Sequence, residues 1–452
     1  MVRERAPLAE LHLHLYGTVR HDHFLRYIES RPFTWDRYEA GMEAAYGVRP
    51  PLRDILERHR AGDEAAAREF ETLFVFGDAD AGNFARFQAK YDMLIDGSEF
   101  ASVRDGDHGR LPHLVDEMLA HAAASRADHR RRGVGYAEQR VMIGRLLRGE
   151  GSETALRSML AAYAASDGTD LVERLAVSLP RDDPWPSWEI VERLARSEHG
   201  HVLTAIDFCF IEEGDPPKAK AELYAAVDDF NERHPDRALA RLHHVGESFT
   251  DKGLESAIRW VQEIAEMGCD RLGHAIALGV DPAAFGPHVR TESVDERRDQ
   301  LHYDLAHADG LARHGVHVDR AAADAELRAL ASRAADDVVE ITYDAARLDE
   351  VRCRQDYAME RVRATGAVIE VCPTSNRRIG GIIDESHHPV HRFLEREMRV
   401  IVASDDPGIL GTDLHAELDW VARVAGLDAE QRDDLAAESW RARSELLSGR
   451  AV

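Results

Sequence analysis

The segment 11–17 reads "LHLHLYG", and its alternation predicts the first strand of the fold. Leucines on one face would be buried, while His12 and His14 would point together from the other face. Gly17 follows three residues after the second histidine. Two imidazoles at this spacing can bind one metal ion without any bending of the strand. Because the sequence contains 24 histidines, the pair alone is a weak signal, and a metal site needs further ligands elsewhere.

Short apolar segments rich in β-branched residues recur along the chain, and most are separated by stretches with helical spacing of apolar residues. Strands that alternate with helices in one long chain predict an α/β fold of the (β/α)8 TIM-barrel type. The sequence between the first two strands, which includes "DILERHRAGDEAAAREFETLFVF", predicts extra N-terminal helices. We place the eight strands at about 8–15, 133–142, 174–179, 201–208, 239–245, 271–275, 367–372 and 399–404.

One connection is too long for a simple loop. Roughly ninety residues separate the sixth predicted strand from the seventh, and loops of that length without structure are uncommon. The part at 281–350 is rich in Ala, Asp, Arg and His and has a helical pattern. We therefore predict a single barrel domain over 1–452 with an inserted helical segment at 281–350. That segment is a possible surface for homo-oligomer formation.

The composition limits the class of partner. The chain has 452 residues, 44% of them hydrophobic, with 57 basic and 83 acidic residues and a net charge of −26. Such an acidic protein is poorly suited to nonspecific binding of nucleic acid or of anionic membranes. The four cysteines form no CxxC pair, which favours a reducing compartment. With no apolar leader or run of 18 apolar residues, we expect a cytoplasmic protein.

Chemically active residues follow the fifth predicted strand, in "RLHHVGES". In such barrels, functional side chains lie at the C-terminal ends of the strands. His244 is followed three residues later by Glu247, a pairing that suits a metal ligand and a general acid/base. Gly246 would let the backbone turn so that Glu247 points into the same pocket. By alternation, His243 should face away from it.

Two more strands end in polar residues of the same kind. The sixth strand ends at His274, and the eighth, "RVIVAS", continues directly into Asp405 and Asp406. Adjacent carboxylates after an apolar strand are electrostatically costly unless a cation or a hydrogen-bond donor compensates them. Three neutral imidazoles and one carboxylate suit zinc, with one position left open for water. The alternatives are that His274 is a core histidine with hydrogen-bond partners inside the protein, and that Asp405 and Asp406 lie in a solvated turn.

The ordered motifs resemble a known family. "ELHLHLYG", "HHVGE", "RLGHA", "EVCPTSN" and "HPVHRFLEREMRVIVASDDPGILGT" are similar to the successive motifs of the metal-dependent adenosine and AMP deaminases, members of the amidohydrolase superfamily. "NFARFQAKYDML" and "VGYAEQRVMIG" match more weakly. The resemblance covers nearly the whole chain except 281–350. It implies deamination of an aminopurine nucleoside or nucleotide, in which a zinc-bound hydroxide attacks C6 and ammonia is released.

The resemblance also implies roles for individual residues. Glu247 would protonate the purine N1 and shuttle a proton from the attacking water. His274 would orient the hydroxide and stabilise the developing charge. Asp406 would accept a hydrogen bond from the base, at N7. One zinc ion per chain would be held by His12, His14, His244 and Asp405.

The chain departs from the family pattern at two positions, and both concern the substrate. Tyr16 stands where adenosine deaminases usually have the Asp of "HLDG", and could contact a sugar or fill space. Phe210 stands where the family often has the glycine of "DLAGDE", either facing the pocket or serving as a core aromatic. The predicted substrate-binding residues are Tyr16, Gly17, Phe210 and Gly246.

The group attached to the 5′ end of the substrate is left open by the sequence. Arg377 and Arg378 follow the seventh strand and could reach a phosphate, or lie in a solvated loop. Ser375 and Asn376 before them could brace that loop or contact ligand. The alternatives are an AMP- or ATP-type nucleotide deaminase and another metal-dependent amidohydrolase. A non-catalytic binding or assembly protein on the same fold is the third.

Overall fold

The computed structural model describes residues 6–29, 31, 33–104, 106–144, 149–168 and 170–450. Eight of its strands lie within a few residues of the predicted positions. The strands are β1 (Leu8–His14), β2 (Val134–Met142), β3 (Val172–Ser178), β4 (Leu203–Asp207), β5 (Ala240–Val245), β6 (Arg271–His274), β7 (His288–Ser293), β8 (Val338–Tyr343), β9 (Val368–Val371) and β10 (Val400–Val402).

Eight strands form one parallel sheet in the order β1-β2-β3-β4-β5-β6-β9-β10. The sheet closes between its first and last strands, where Leu13 forms a parallel bridge with Asp405. At this seam the His14 N–H donates to the Asp405 carbonyl (3.3 Å), and the Asp405 N–H donates to the His12 carbonyl (3.0 Å). The predicted TIM-type barrel is therefore confirmed.

The described part of the chain has helices between and around these strands. They are α1 (His21–Glu29), α2 (Asp36–Tyr46), α3 (Leu52–Arg60), α4 (Glu64–Phe74), α5 (Phe84–Asp96), α6 (Glu99–Arg104), α7 (Leu111–Arg131), α8 (Glu150–Ser166), α9 (Trp185–Ala195), α10 (Ala221–Arg233), α11 (Leu254–Glu266), α12 (Ile276–Gly279), α13 (Val294–Arg313), α14 (Arg320–Leu330), α15 (Ala345–Thr365), α16 (Pro373–Arg378), α17 (Pro389–Glu395), α18 (Leu414–Ala425), α19 (Ala429–Arg441) and α20 (Ser444–Leu447). Within the described ranges, no helix is long and apolar enough to cross a membrane.

The predicted N-terminal helices are present and have a core of their own. Aromatic side chains of α1, α2 and α4, among them Phe24, Tyr38 and Phe70, are fully buried in one cluster. The same cluster includes Ile409 and Leu410, which follow β10. The helices between β1 and β2 therefore pack on the loop that follows the last strand, at the C-terminal end of the barrel.

The barrel interior is charged. The guanidinium of Arg271 lies 2.6 Å from Glu138 and 2.8 Å from Glu370, and Arg140 lies 2.5 Å from Glu370. All four side chains are at most 1% exposed. Buried charges of this kind are tolerated only when they are paired. The paired network fills the barrel beneath the C-terminal ends of the strands.

The segment between β6 and β9 is not purely helical, so that prediction was incomplete. Strands β7 and β8 pair antiparallel, from His288 opposite Tyr343 to Ser293 opposite Val338. Helices α13 and α14 connect them. The ribbon packs on the start of α11, where the Leu254 N–H donates to the Tyr343 hydroxyl (2.7 Å). Its role as an oligomer interface and the boundaries 281–350 remain predictions.

Candidate active site

The predicted metal ligands come together at the C-terminal end of the barrel. The Nε2 atoms of His12 and His14 lie 3.3 Å and 3.2 Å from the same oxygen of Asp405. The Nε2 atom of His244 lies 3.2 Å from that of His14. The two-residue spacing in β1 thus aims both imidazoles at one point, as the sequence predicted.

Two further groups border this cluster. His274 Nε2 lies 3.9 Å from Asp405 Oδ2 and 3.5 Å from Glu247 Oε1. The Cys372 thiol lies within 4.8 Å of ligand atoms of His274 and Asp405. Sequence analysis did not single out Cys372, although it lies inside the quoted motif "EVCPTSN". It comes directly after β9, which pairs with both β6 and β10.

The donor set fits a divalent cation. His12 Nε2 and Asp405 Oδ1 are buried and have no hydrogen-bond partner among the described residues. An unpaired buried polar atom is costly, and a bound cation would compensate both at once. Imidazole nitrogens with one carboxylate oxygen are the donors that zinc prefers. Potential ligand residues form groups of three, and within each group the ligand atoms lie within 4.8 Å of one another. The members of these groups are His12, His14, His244, His274, Cys372 and Asp405.

Three of the cluster histidines are held by an outer partner. His12 Nδ1 lies 2.8 Å from Glu370, and His274 Nδ1 lies 2.9 Å from the amide oxygen of Asn376. His244 Nδ1 lies 3.1 Å from Asp207. Because these oxygens accept hydrogen bonds, each Nδ1 carries a proton, and for His12 and His244 this leaves the Nε2 lone pair facing the cluster. Sequence analysis missed Glu370 and Asp207, and left the role of Asn376 open.

The electrostatics of the cluster favour a positive charge at its centre. Burial would raise the pKa of Asp405, but the adjacent imidazoles of His12 and His14 hold this pKa well below its usual range. Burial lowers the pKa of His244 well below its usual value, so this imidazole is neutral. Burial and the neighbouring Asp405 charge raise the pKa of Asp406 to about 7. Near neutral pH, Asp405 is therefore ionised while Asp406 is protonated in part of the molecules.

The backbone is left-handed at several strand ends around the cluster. Asp405 has φ 61°, His274 has φ 62° and Phe210 has φ 74°. Residues other than glycine adopt this conformation rarely, and usually at functional sites. Gly246 (φ 67°) makes the predicted turn before Glu247 without such strain.

Gly17 allows Asp406 to approach the first strand. A Cβ atom on Gly17 would lie 1.6 Å from Asp406 Oδ1, which is an overlap. The Gly17 carbonyl also accepts a hydrogen bond from the Gly408 N–H at 2.7 Å. Position 17 therefore requires a glycine, because the Asp406 side chain across the seam occupies the space that a Cβ atom would need.

Residues 79–444, most of the chain, match the family profile described as adenosine deaminase. The chain belongs to the adenosine deaminase family. An aminodeoxyfutalosine deaminase of Acidothermus cellulolyticus is 41% identical over 63 residues, which are 14% of this chain and 18% of that protein. The aligned stretch thus spans less than a fifth of the length of this curated relative.

Two solved structures share the fold of this adenosine deaminase family member. An adenine deaminase from Arthrobacter aurescens aligns over 97% of this chain and 94% of its own, with a TM-score of 0.52 and 19% identity. The N6-mAMP deaminase of Arabidopsis aligns over 97% and 94%, with a TM-score of 0.53 and 15% identity. At these identities the likeness establishes the fold.

The two positions where this family member departs from the pattern lie in different surroundings. Tyr16 is 8% exposed, and its hydroxyl donates to Glu117 on α7 at 2.7 Å. Phe210 is 43% exposed, so its interpretation as a core aromatic is wrong. Its left-handed backbone explains why a glycine is common at this position.

The remaining predicted residues are held by protein partners. The Gly246 N–H donates to Glu212 at 2.9 Å. His243 faces away from the cluster, as predicted, between Tyr224 (3.1 Å) and Arg181 (3.3 Å). Sequence analysis missed Glu212 and Arg181, because their partners are backbone groups on another loop.

Both arginines considered for a phosphate site have partners. Arg378 donates to the carbonyls of Phe76 (3.0 Å) and Leu410 (2.6 Å) and to Asp78 (2.8 Å). The Arg377 guanidinium lies 5.6 Å from the centre of the Trp420 ring. These arginines therefore brace the loops rather than forming a solvated surface.

Proposed function

We propose that this chain hydrolytically deaminates an adenosine-type substrate to the inosine-type product and ammonia, with one zinc ion per chain. The observation that carries the proposal is the convergence of four ligands of zinc type beside a carboxyl group that is not one of them. The ligands would be His12, His14, His244 and Asp405, and the remaining group is Glu247. A bound zinc ion would supply Lewis-acid activation of a water molecule near neutral pH.

Glu247 is placed to move protons. Its side chain is 22% exposed, and Oε1 lies 3.5 Å from His274 Nε2 at the edge of the cluster. In its acid form it gives a proton to the purine N1 as water adds at C6. It then takes one proton of that water and passes it to the leaving amine, and it takes the second water proton as the C6 carbonyl forms, so that the carboxyl group returns to its acid form.

His274 orients the reacting oxygen. Its Nδ1 proton is bound by Asn376, which fixes the ring, and its Nε2 faces both Glu247 and Asp405. Burial would lower the pKa of His274, but the charges of Glu247 and Asp405 raise it, so that Nε2 can also carry a proton. This N–H can hold the attacking oxygen in line with C6 and stabilise its charge during the addition.

The hydrogen bond between Asp406 and the purine runs in the opposite direction to the one expected from sequence. The purine N7 carries a lone pair and no proton, so it can only accept. Asp406 must therefore hold the proton and donate it. Its buried position supports this assignment, as does the negative Asp405 beside it.

The surroundings favour an uncharged 5′ group over a phosphate. Arg378 donates hydrogen bonds to two backbone carbonyl groups and to Asp78, and the Arg377 guanidinium packs on the Trp420 ring. Arg378 must give up these partners to bind a phosphate. We therefore place nucleosides before AMP and ATP as substrates.

An ammonia-release screen tests the proposal. The zinc-loaded protein is given adenosine, deoxyadenosine, 5′-modified adenosines, adenine, AMP and ATP. We expect turnover of adenosine and its uncharged derivatives, with at least tenfold lower kcat/KM for AMP and ATP. Faster turnover of AMP or ATP would select the nucleotide deaminase instead. No ammonia from any 6-aminopurine would reject the proposal in favour of another amidohydrolase substrate or a binding protein.

A further inference from the structure

Glu212 binds the backbone on both sides of Glu247. One carboxylate oxygen accepts the Gly246 N–H at 2.9 Å, and the other accepts the Ser248 N–H at 2.8 Å. Glu212 lies in the loop after β4 and is 3% exposed. A single carboxylate therefore holds the residues before and after Glu247 at one fixed separation.

The turn that carries Glu247 is closely packed on its other side as well. Gly246 has φ 67°, and a Cβ atom there would lie 2.8 Å from Val261 and 3.2 Å from Ala277. The turn is thus confined between Glu212 on one side and α11 with α12 on the other. With its backbone fixed, Glu247 has only its own side-chain torsions left to adjust.

A second buried group fixes the loop that carries Glu212. The Arg181 guanidinium donates to the carbonyls of Phe208 (2.8 Å) and Cys209 (3.1 Å) and to that of His244 (2.7 Å). It joins the ends of β4 and β5 directly. Glu212 is therefore held against the strand from which Glu247 emerges.

We propose that Glu212 is a positioning residue that sets the location of the Glu247 carboxyl group through the two flanking amides. This inference rests on the proposed function, because it assumes that Glu247 moves protons. Proton transfer requires hydrogen-bond reach of the substrate, and a misplacement of about 1 Å costs roughly 100-fold in rate. Glu212 itself does not need to touch the substrate.

The test is Glu212→Gln, which keeps the shape of the side chain. Its amide oxygen can accept one of the two N–H groups, while its NH2 group faces the other donor. We expect kcat to fall by roughly 10- to 100-fold, with KM within about twofold and the full zinc content retained. An unchanged kcat would overturn the inference. A fall in kcat that is accompanied by loss of zinc would overturn it as well. Should E212Q not fold, Glu212→Asp is measured against the same expectations.

A double variant separates positioning from general stabilisation. In the Glu247→Gln background, E212Q should cause no further loss of kcat, because the group it positions is already disabled. A further tenfold loss would show that Glu212 acts elsewhere and would overturn the inference. If E247Q alone keeps wild-type turnover, the proposed function fails. If E247Q is inactive and E212Q is fully active, only the positioning role fails.

Glu292→Gln is the matched control. Glu292 is also buried and also accepts a backbone N–H, that of Gly253 at 3.0 Å. It lies on the β7–β8 ribbon rather than beside Glu247. We expect its kcat to stay within about twofold of wild type even where Tm falls, which shows that losing a buried carboxylate is not enough to slow turnover.

Discussion

The Nδ1 atom of His244 lies 3.1 Å from a carboxylate oxygen of Asp207, and both side chains are buried. The ionised carboxylate holds the imidazole proton on Nδ1 and leaves the Nε2 lone pair facing the cluster. Asp207 would therefore support metal binding by His244, although Asp207 is not a proposed ligand itself.

The first prediction concerns that pair. Asp207→Asn keeps a hydrogen-bond acceptor but removes the charge that makes His244 a better ligand. We expect zinc affinity to fall roughly ten- to hundredfold, measured by competition with a chelator. Asp96→Asn is the control, since buried Asp96 accepts a hydrogen bond from the Tyr38 N–H far from the cluster. Equal zinc affinity in D207N and wild type would contradict the prediction.

His14→Ala should remove the metal. His14 contacts both Asp405 and His244, so its loss opens one side of the donor set. We expect zinc below about 0.1 per chain after dialysis, measured by elemental analysis, and no turnover. His243→Ala is the control, because His243 adjoins His244 in sequence but faces Tyr224 and Arg181 instead. Full zinc in H14A would exclude His14 as a ligand.

Gly17→Ala should impair catalysis while the metal stays bound. The added methyl group would overlap Asp406 Oδ1, so that carboxyl group must move away from the base. We expect kcat/KM to fall at least tenfold with unchanged zinc content. In the control Gly77→Ala, the new methyl group has no other atom within 4 Å and φ is −97°. Wild-type kinetics in G17A would show that Asp406 is not needed where it lies.

The pH dependence of stability should depend on Glu417. Burial raises the pKa of this carboxyl group to about 7, against hydrogen bonds from Thr374 and Thr412. The folded state thus binds a proton that the unfolded state releases near pH 4.5. The resulting stabilisation is complete below that pH and is lost as the pH rises through about 7.

Glu417→Gln removes this titration and keeps both hydrogen bonds. Between pH 5 and pH 8, the free energy of unfolding should therefore fall by roughly 2 kcal/mol more in wild type than in E417Q. Urea unfolding at three pH values measures the difference. Parallel pH curves for the two proteins would contradict the assignment.

The strands and the cluster of polar residues at their ends could be predicted because they are encoded locally. The alternation in β1 and the apolar run before Asp405 each identify a strand and the residues at its end. The order of the motifs then indicated catalytic roles for Glu247 and His274. These features depend on residues that are close in the sequence, so a single amino-acid sequence is enough to find them.

The supporting groups could not be predicted because their partners are distant. The Tyr16 hydroxyl is bound by Glu117, 101 residues away, and His12 by Glu370, 358 residues away. Strands β7 and β8 were missed because they are short and half-exposed, without a continuous apolar face. Which residue faces which partner is decided only when the barrel closes.

The bridge between Leu13 and Asp405 has a consequence for biosynthesis. The first strand supplies two of the proposed donors, His12 and His14, yet the carboxylate that both approach, Asp405, follows the last strand, some 390 residues later in the sequence. A nascent chain cannot complete the donor set before that final strand emerges from the ribosome. Capture of the ion by the full donor set and completion of the barrel wall thus become one event.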